Sequence, residues 1–310
     1  MSKNVVLLFS GQGAQKVGMG KDLAEAFPGV KSLFEQANAA VGFDLTSVMF
    51  DGPAEELTRT SRCQPALFAH GLAVWHALQQ RMPDLKPVAA AGLSLGEFTA
   101  HSAAGTFDFA TGINLVFQRG TFMEEACEQT KGSMAAMIGG TEEAVRELAA
   151  ECDVDVANLN APGQIVLSGS VEGIAKAAEG AKAKGIVKAV VLQVAGAYHS
   201  RLMKSAQDKL AAELARTDIR TGSMPVYCNF DARPVGDAAD VRDMLTRQVT
   251  GSVRWAESLS KLIAAGNTLF LECGLQGQIA GMMKRIDKTV KVLSIEDIPS
   301  LDKAVAELSA

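Results

Sequence analysis

The chain has 310 residues, 48% of them hydrophobic and 21% charged, with a formal net charge of −5. This composition suits a folded soluble protein that can bury a large core and hold two domains. The acidic balance offers no basic face for nucleic acid, no apolar run reaches membrane-spanning length, and the apolar stretch Val5 to Phe9 is too short for a signal-peptide core, so a cytoplasmic protein is expected.

Val5 to Ser10 predicts a buried strand, followed by a glycine-rich loop from Gly11 to Gly20. Helical spacing appears over 22–40 and 66–81, and a strand over 88–91. Residues 108–128 predict a long amphipathic helix with Ile113, Val116, Phe117 and Met123 among its apolar positions. Between 133 and 194 the order is strand 133–138, helix 141–152, strand 154–159, turn 160–163, strand 164–168, helix 171–184 and strand 187–194. That β-α-β-β-α-β order is the ferredoxin-like one, and it predicts an inserted subdomain over 131–195 within a larger α/β unit of 1–130 and 196–310. Helices are expected at 199–215, 241–249, 254–265, 276–286 and 301–308, with strands 268–272 and 290–295 returning to the main sheet.

The chemistry centres on Gly92-Leu93-Ser94-Leu95-Gly96. It lies between a short apolar strand and a helical stretch, the setting of a nucleophile elbow, in which a serine hydroxyl stands at a sharp strand-to-helix turn. A serine needs a base within hydrogen-bond reach, and the chain has only four histidines, His70, His76, His101 and His199. His199, where the insert rejoins the main unit, is the best candidate, and His101, on the helix leaving the elbow, is the weaker rival. Gly11-Gln12-Gly13 could bring backbone N–H groups to an oxyanion. Arg119, on the 108–128 helix, is either a surface residue with a buried stem or an anion clamp. The five scattered cysteines have no Cys-x-x-Cys spacing and read as reduced structural thiols, so no metal or cofactor is expected.

These motifs together resemble the malonyl-CoA:acyl carrier protein transacylase family, the acyltransferases of fatty-acid and polyketide synthesis. The resemblance rests on Phe9 to Gln15, Gln64-Pro65-Ala66, Gly92 to Glu97, Gln118-Arg119-Gly120, Asn158 to Gln164, Tyr198-His199-Ser200 and Val253-Arg254-Trp255. It implies an α/β-hydrolase-like core with a ferredoxin-like insert. It implies Ser94 as the acylated nucleophile, His199 as its base, and the backbone carbonyl of Gln248 as the group orienting the histidine. The amides of Gln12 and Leu95 would form the oxyanion hole, Arg119 would bind the malonyl carboxylate, and Gln64, Met123 and Asn160 would line the pocket. Malonyl-CoA and acyl carrier protein would be the partners of a monomer, the carrier docking on Lys284, Arg285 and Lys188. Three positions depart from the family pattern: Leu93 replaces a histidine, Gly274-Leu275-Gln276-Gly277 replaces a Gly-Pro-Gly, and Ser252 stands where proline is common. An esterase of the α/β-hydrolase type and a carrier-binding protein without activity are the competing readings. The distance of His199 from the C-terminus argues against the esterase.

Overall fold

The computed structural model describes residues 4–275 and 277–310. The strand β1 (Val5–Phe9) is buried along its whole length. An unbroken aliphatic run of this kind suits a parallel strand covered on both faces. Between it and β2 (Pro87–Gly92) the chain forms α1 (Lys21–Ala26), α2 (Pro28–Val41), α3 (Leu45–Asp51), α4 (Ala54–Thr58) and the long α5 (Thr60–Arg81). Then come α6 (Leu95–Ala103) and α7 (Phe109–Gln129). The insert is β3 (Gly132–Ile138), α8 (Glu142–Glu151), β4 (Asp155–Ala161), β5 (Gln164–Ser170), α9 (Val171–Gly180) and β6 (Lys188–Val191). The remainder is α10 (Lys204–Arg216), β7 (Val226–Tyr227), α11 (Ala238–Arg247), α12 (Trp255–Ala264), β8 (Leu269–Cys273), α13 (Gln278–Ile286), β9 (Lys291–Ile295) and α14 (Ile298–Ser309).

The main sheet has the order β7-β2-β1-β8-β9, with every pair parallel. The insert sheet has the order β4-β5-β3-β6, with every pair antiparallel. That order makes the insert a ferredoxin-like subdomain on an α/β-hydrolase-like core. Its helices cover one sheet face with a separate small core of Ala135, Val145, Leu148, Leu167, Ile174 and Ile186. Met134 and Val166 instead join the main core. A main-chain splice adds to this contact. The Leu159 N–H donates to the Val253 carbonyl at 2.9 Å, and the Val253 N–H donates to the Ala157 carbonyl at 2.8 Å. Ser252, at a position where proline could donate nothing, adds a hydroxyl hydrogen bond to the Val156 carbonyl.

The sequence-based elements differ from the structure in a few places. Helix α5 begins at Thr60, six residues before the expected start, and carries Pro65 inside it. Burial of Thr60, Ser61, Cys63 and Gln64 outweighs the one backbone hydrogen bond that proline removes. Helices α3 and α4 and the two-residue β7 are too short to show a period. The segment expected as helix from 199 begins instead with His199 at φ +56° and a 3₁₀ turn over Arg201–Met203, ahead of α10. Gln276, part of one departure from the family pattern and the expected start of α13, lies outside the described residues.

The glycines of the elbow serve close approach. A Cβ on Gly92 would lie 1.9 Å from the backbone of Gly96, and one on Gly96 would lie 2.4 Å from the Phe9 carbonyl oxygen. The positive φ of the turn falls on Ser94 itself, at +55°. Gly92→Ala should therefore lower stability by about 3 kcal/mol or more, because the atoms it meets are main chain and cannot yield. Gly281→Ala, on α13 with open space at its Cβ, should be neutral or stabilising by up to about 1 kcal/mol. Urea unfolding of the two variants checks this, and equal midpoints would overturn it.

Candidate active site

Ser94 follows β2 at the C-terminal end of the parallel sheet, the edge where open α/β folds bind ligands. The loop after β1 ends beside it. Gly11 is so close to the elbow that a Cβ there would lie 2.7 Å from the Leu93 carbonyl oxygen. Gln12 is thereby carried to the elbow, and no protein acceptor takes the N–H of Gln12 or Leu95 among the described residues. Leu93 packs in an apolar cluster with Val6, Leu8, Val253 and Trp255, so the aliphatic side chain that replaces the family's histidine has apolar company.

The Ser94 hydroxyl lies 2.8 Å from His199 Nε2. His199 Nδ1 lies 2.9 Å from the Gln248 carbonyl oxygen. A carbonyl can only accept, so Nδ1 carries the proton and Nε2 is free to receive one from serine. Burial is the chief cause that lowers the His199 ring to about 4, and the nearby Arg119 charge adds to it. His199 is therefore a neutral base at ordinary pH. His101 is buried too, but its Nδ1 meets Thr106 Oγ1 at 3.1 Å and it makes no hydrogen bond to Ser94. His70 bonds the Glu296 carbonyl, and His76 bonds Gln80 near the surface.

Arg119 is 1% exposed, which decides between its two readings in favour of a buried cation. Gly120 lets α7 press on α5, since a Cβ there would lie 2.6 Å from the Thr60 carbonyl oxygen. The packing sets Arg119 against Gln64. One terminal nitrogen donates to Gln64 Oε1 at 2.7 Å, and the other donates to Gln248 Oε1 at 2.9 Å and to Ser94 Oγ at 3.1 Å. Met123 Sδ accepts from Gln64 Nε2 at 3.4 Å. Burial lowers Arg119 to about 10, which leaves it charged. Asn160 is buried on β4 with its Oδ1 unpartnered among the described residues, and it makes no hydrogen bond to this cluster. Lys188 on β6, and Lys284 and Arg285 in the last turn of α13, are exposed and have no ion pair among the described residues.

Three contributors were not singled out from the sequence. Asn229 accepts from the Ser94 N–H at 2.7 Å and donates to the Gly92 carbonyl at 2.8 Å. Only its side-chain geometry reveals it, because Cys228-Asn229-Phe230 carries no motif. The Gln248 side chain, as well as its carbonyl, belongs to the site. Its Nε2 donates to the Ser94 carbonyl at 3.0 Å and to Glu97 Oε2 at 2.7 Å. Glu97, last residue of the elbow motif, is fully buried. A separate groove of about 650 Å³ is lined by Arg146, Val156, Arg201, Lys204, Phe230 and Gly251, and holds none of Ser94, His199 or Arg119. Its cations are already paired with Glu142, Asp153 and Asp208. No group of three or more potential metal ligands is found among the described residues, and no helix among them is long and apolar enough to cross a membrane.

The chain belongs to the acyl transferase family, whose profile, described as an acyl transferase domain, matches residues 6–305. Its relatives include malonyl-transferring members of that family. The malonyl CoA-acyl carrier protein transacylase of Bacillus subtilis (strain 168) is 39% identical over 313 residues, spanning 99% of this chain and 98% of its own. The crystal structure of an acyl carrier protein S-malonyltransferase from Vibrio cholerae superposes with a TM-score of 0.94 at 37% identity, over 97% of this chain and 100% of that one. A malonyl-transacylase solved in complex with its type II polyketide acyl-carrier protein superposes with a TM-score of 0.94 at 36% identity, over 98% of this chain and 100% of that one.

The lowered His199 value sets a pH dependence. In the free protein His199 is neutral above about pH 4, so a kcat/KM that depends on it as base should stay flat from pH 8 to about 5 and fall roughly tenfold per unit below about 4. Stability should follow the same sign. His70, His101 and His199 are held near 4, 3 and 4 by burial, whereas unfolded histidine titrates near about 6.5. The unfolded chain then binds more protons in that window, and stability is lost as pH falls from about 6.5 towards 4. Glu97, raised to about 7 by burial, and Glu272, also raised by burial, oppose this. A rate profile with a limb near 6.5, or urea midpoints that rise on acidification, would contradict this account.

Proposed function

We propose that this chain transfers the malonyl group of malonyl-CoA to the phosphopantetheine thiol of an acyl carrier protein, through a malonyl ester on Ser94. The observation that carries the reading is the continuous contact from Gln248 through His199 to Ser94, with the buried Arg119 donating to the same hydroxyl. In the first half-reaction Ser94 Oγ attacks the thioester carbonyl carbon while its proton passes to His199 Nε2. The negative oxygen of the tetrahedral intermediate accepts from the N–H groups of Gln12 and Leu95. The carbon–sulfur bond breaks, and His199 returns the proton to the departing coenzyme A thiolate. In the second half-reaction the carrier thiol attacks the seryl ester, with the same residues acting in the same order. Imidazolium is needed only transiently, and the Gln248 carbonyl holds the ring in the tautomer that begins each cycle.

Arg119 binds the free carboxylate of malonyl. A buried anion requires a cation, and the planar guanidinium can donate two parallel hydrogen bonds to one carboxylate. Gln64 and Gln248 hold the guanidinium in place through their amide oxygens until substrate arrives. Met123 and Asn160 complete the pocket wall. The ping-pong cycle runs without metal or redox cofactor, in a monomer, in the cytoplasm. We divide the chain into a large unit of 1–130 and 196–310 and an insert of 131–195.

Incubation with malonyl-CoA should add one malonyl mass to the intact protein, and Ser94→Ala should abolish the addition. Arg119→Ala should cut kcat/KM for malonyl-CoA by roughly 30- to 5000-fold, the loss expected for removing one partner of a buried charge pair, and leave acetyl-CoA equal or improved. An unchanged ratio between the two thioesters would remove Arg119 from the carboxylate site.

Acyl carrier proteins are acidic as a class, and this chain carries a net charge of −5, so docking needs a local basic patch. Lys284, Arg285 and Lys188, exposed and without an ion pair among the described residues, supply it. Reversing the charges of Lys284 and Arg285 should raise the KM for carrier protein and leave Ser94 acylation by malonyl-CoA nearly unchanged. Loss confined to the acylation step would show that the patch is misplaced.

A further inference from the structure

Four groups must be held for the chemistry proposed above: the main-chain N–H and carbonyl of Ser94, the ring of His199 and the guanidinium of Arg119. Two residues between them contact all four. Asn229 accepts from the Ser94 N–H. Gln248 donates to the Ser94 carbonyl through Nε2, holds Arg119 through Oε1, and orients His199 through its own carbonyl. These two residues stand on different segments, before and after α11, yet both end on one atom. Glu97 Oε2 accepts from the Asn229 backbone N–H at 2.8 Å and from Gln248 Nε2 at 2.7 Å. Glu97 lies three residues after the nucleophile, on the first turn of α6, and is fully buried. Its other oxygen, Oε1, has no partner among the described residues.

We propose that Glu97 is a positioning residue for acyl transfer: its Oε2 is the common anchor that fixes Asn229 and Gln248, and through them sets Ser94, His199 and Arg119 in register. The inference rests on the reading of Ser94 and His199 as nucleophile and base. A bare structural role would require only that the carboxyl be satisfied, and half of it is not. Burying a carboxyl with one orphan oxygen is unfavourable, and Glu97 is raised to about 7 by that burial. The residue is nonetheless placed where a single oxygen reaches both supports. What Glu97 supplies is reach and an acceptor, so an amide of the same length should do nearly as well. In Glu97→Gln the carbonyl oxygen can take both donors, and the NH₂ occupies the place of the unpartnered Oε1. Glu97→Asp keeps the charge but is one methylene too short to meet both donors. In Glu97→Ala the Asn229 N–H is orphaned and the Gln248 amide loses one of its two acceptors.

The test is steady-state malonyl transfer by the three variants, with rates divided by the fraction of protein that takes up malonyl on Ser94, measured by intact mass. Glu97→Ala and Glu97→Asp should lose about 10- to 100-fold in kcat, the usual consequence of a small misplacement of reacting groups, with KM for malonyl-CoA within about threefold. Glu97→Gln should keep kcat within about threefold of the unaltered protein. Should Glu97→Ala fail to fold, the order of Gln above Asp decides the matter. The proposal is overturned if Asp keeps the rate and Gln loses it, which would assign the effect to charge. It is also overturned if the folded Asp variant, or a folded Ala variant, turns over at the full rate per acylated site. Failure of the unaltered protein to take up malonyl at all would instead remove the reading of Ser94 on which the proposal stands.

Discussion

A buried cation with no carboxylate in contact among the described residues is the constraint around which the centre of this molecule is arranged. The Arg119 guanidinium touches two amide oxygens and a hydroxyl, all of them neutral acceptors. Neutral acceptors satisfy hydrogen bonds without cancelling charge, so the arginine remains electrostatically hungry in a region of low dielectric. The Glu97 carboxyl lies one residue removed, behind the Gln248 side chain. Direct contact with Glu97 would close the ion pair and leave nothing for a ligand to do. Separation by one amide keeps the cation buried and still available. The same field adds to burial in depressing the proton affinity of His199.

Ser94 and the histidine that meets it are held in main-chain conformations that residues with side chains seldom adopt. Ser94 and His199 both lie at positive φ, +55° and +56°. Such conformations persist only where the surroundings over-determine them. Here the surroundings do so at short range. Ser94 is gripped at its N–H by Asn229 and at its carbonyl by Gln248, while the elbow beneath it is wedged against β1 by glycines that admit no Cβ. His199 is gripped by Gln248 and followed by Ser200, whose hydroxyl bonds back to the Ala197 carbonyl. The geometry needed for proton transfer therefore exists before any ligand arrives.

Much of this was legible in the sequence, and for identifiable reasons. The insert could be read because two-layer units declare themselves by an alternation of periods, and its β-α-β-β-α-β order is the one observed. Ser94 could be read because its glycines leave a mark at fixed spacing, although their physical duty proved to be close approach, with the strained dihedral on the serine. His199 stood out by scarcity, among only four histidines. The start of α5 was hidden by Pro65, whose local message is outweighed by burial that no local pattern records. Asn229 and the side chain of Gln248 were hidden for a related reason. They act through hydrogen bonds to residues more than a hundred positions away, and neither sits in a run that distinguishes it from a surface amide. Glu97 was visible only as a letter in a motif, since a carboxylate on an amphipathic helix ordinarily faces water.

The two strands of chain that lead into and out of the insert run against each other. A Cβ on Gly132 would lie 2.6 Å from the Ala197 backbone nitrogen, and one on Gly196 would lie 2.2 Å from the Cys127 sulfur. Entry and exit therefore share a single doorway in the parent fold. A segment attached in that way can be gained, exchanged or reshaped as a cassette, because the parent needs only two adjacent chain ends and not a particular tenant. Ser94, Arg119, Glu97 and Gln248 all lie outside the cassette, and His199 stands just beyond its exit. The insert can thus change while Ser94, His199, Arg119 and Gln248 keep their places in the parent fold.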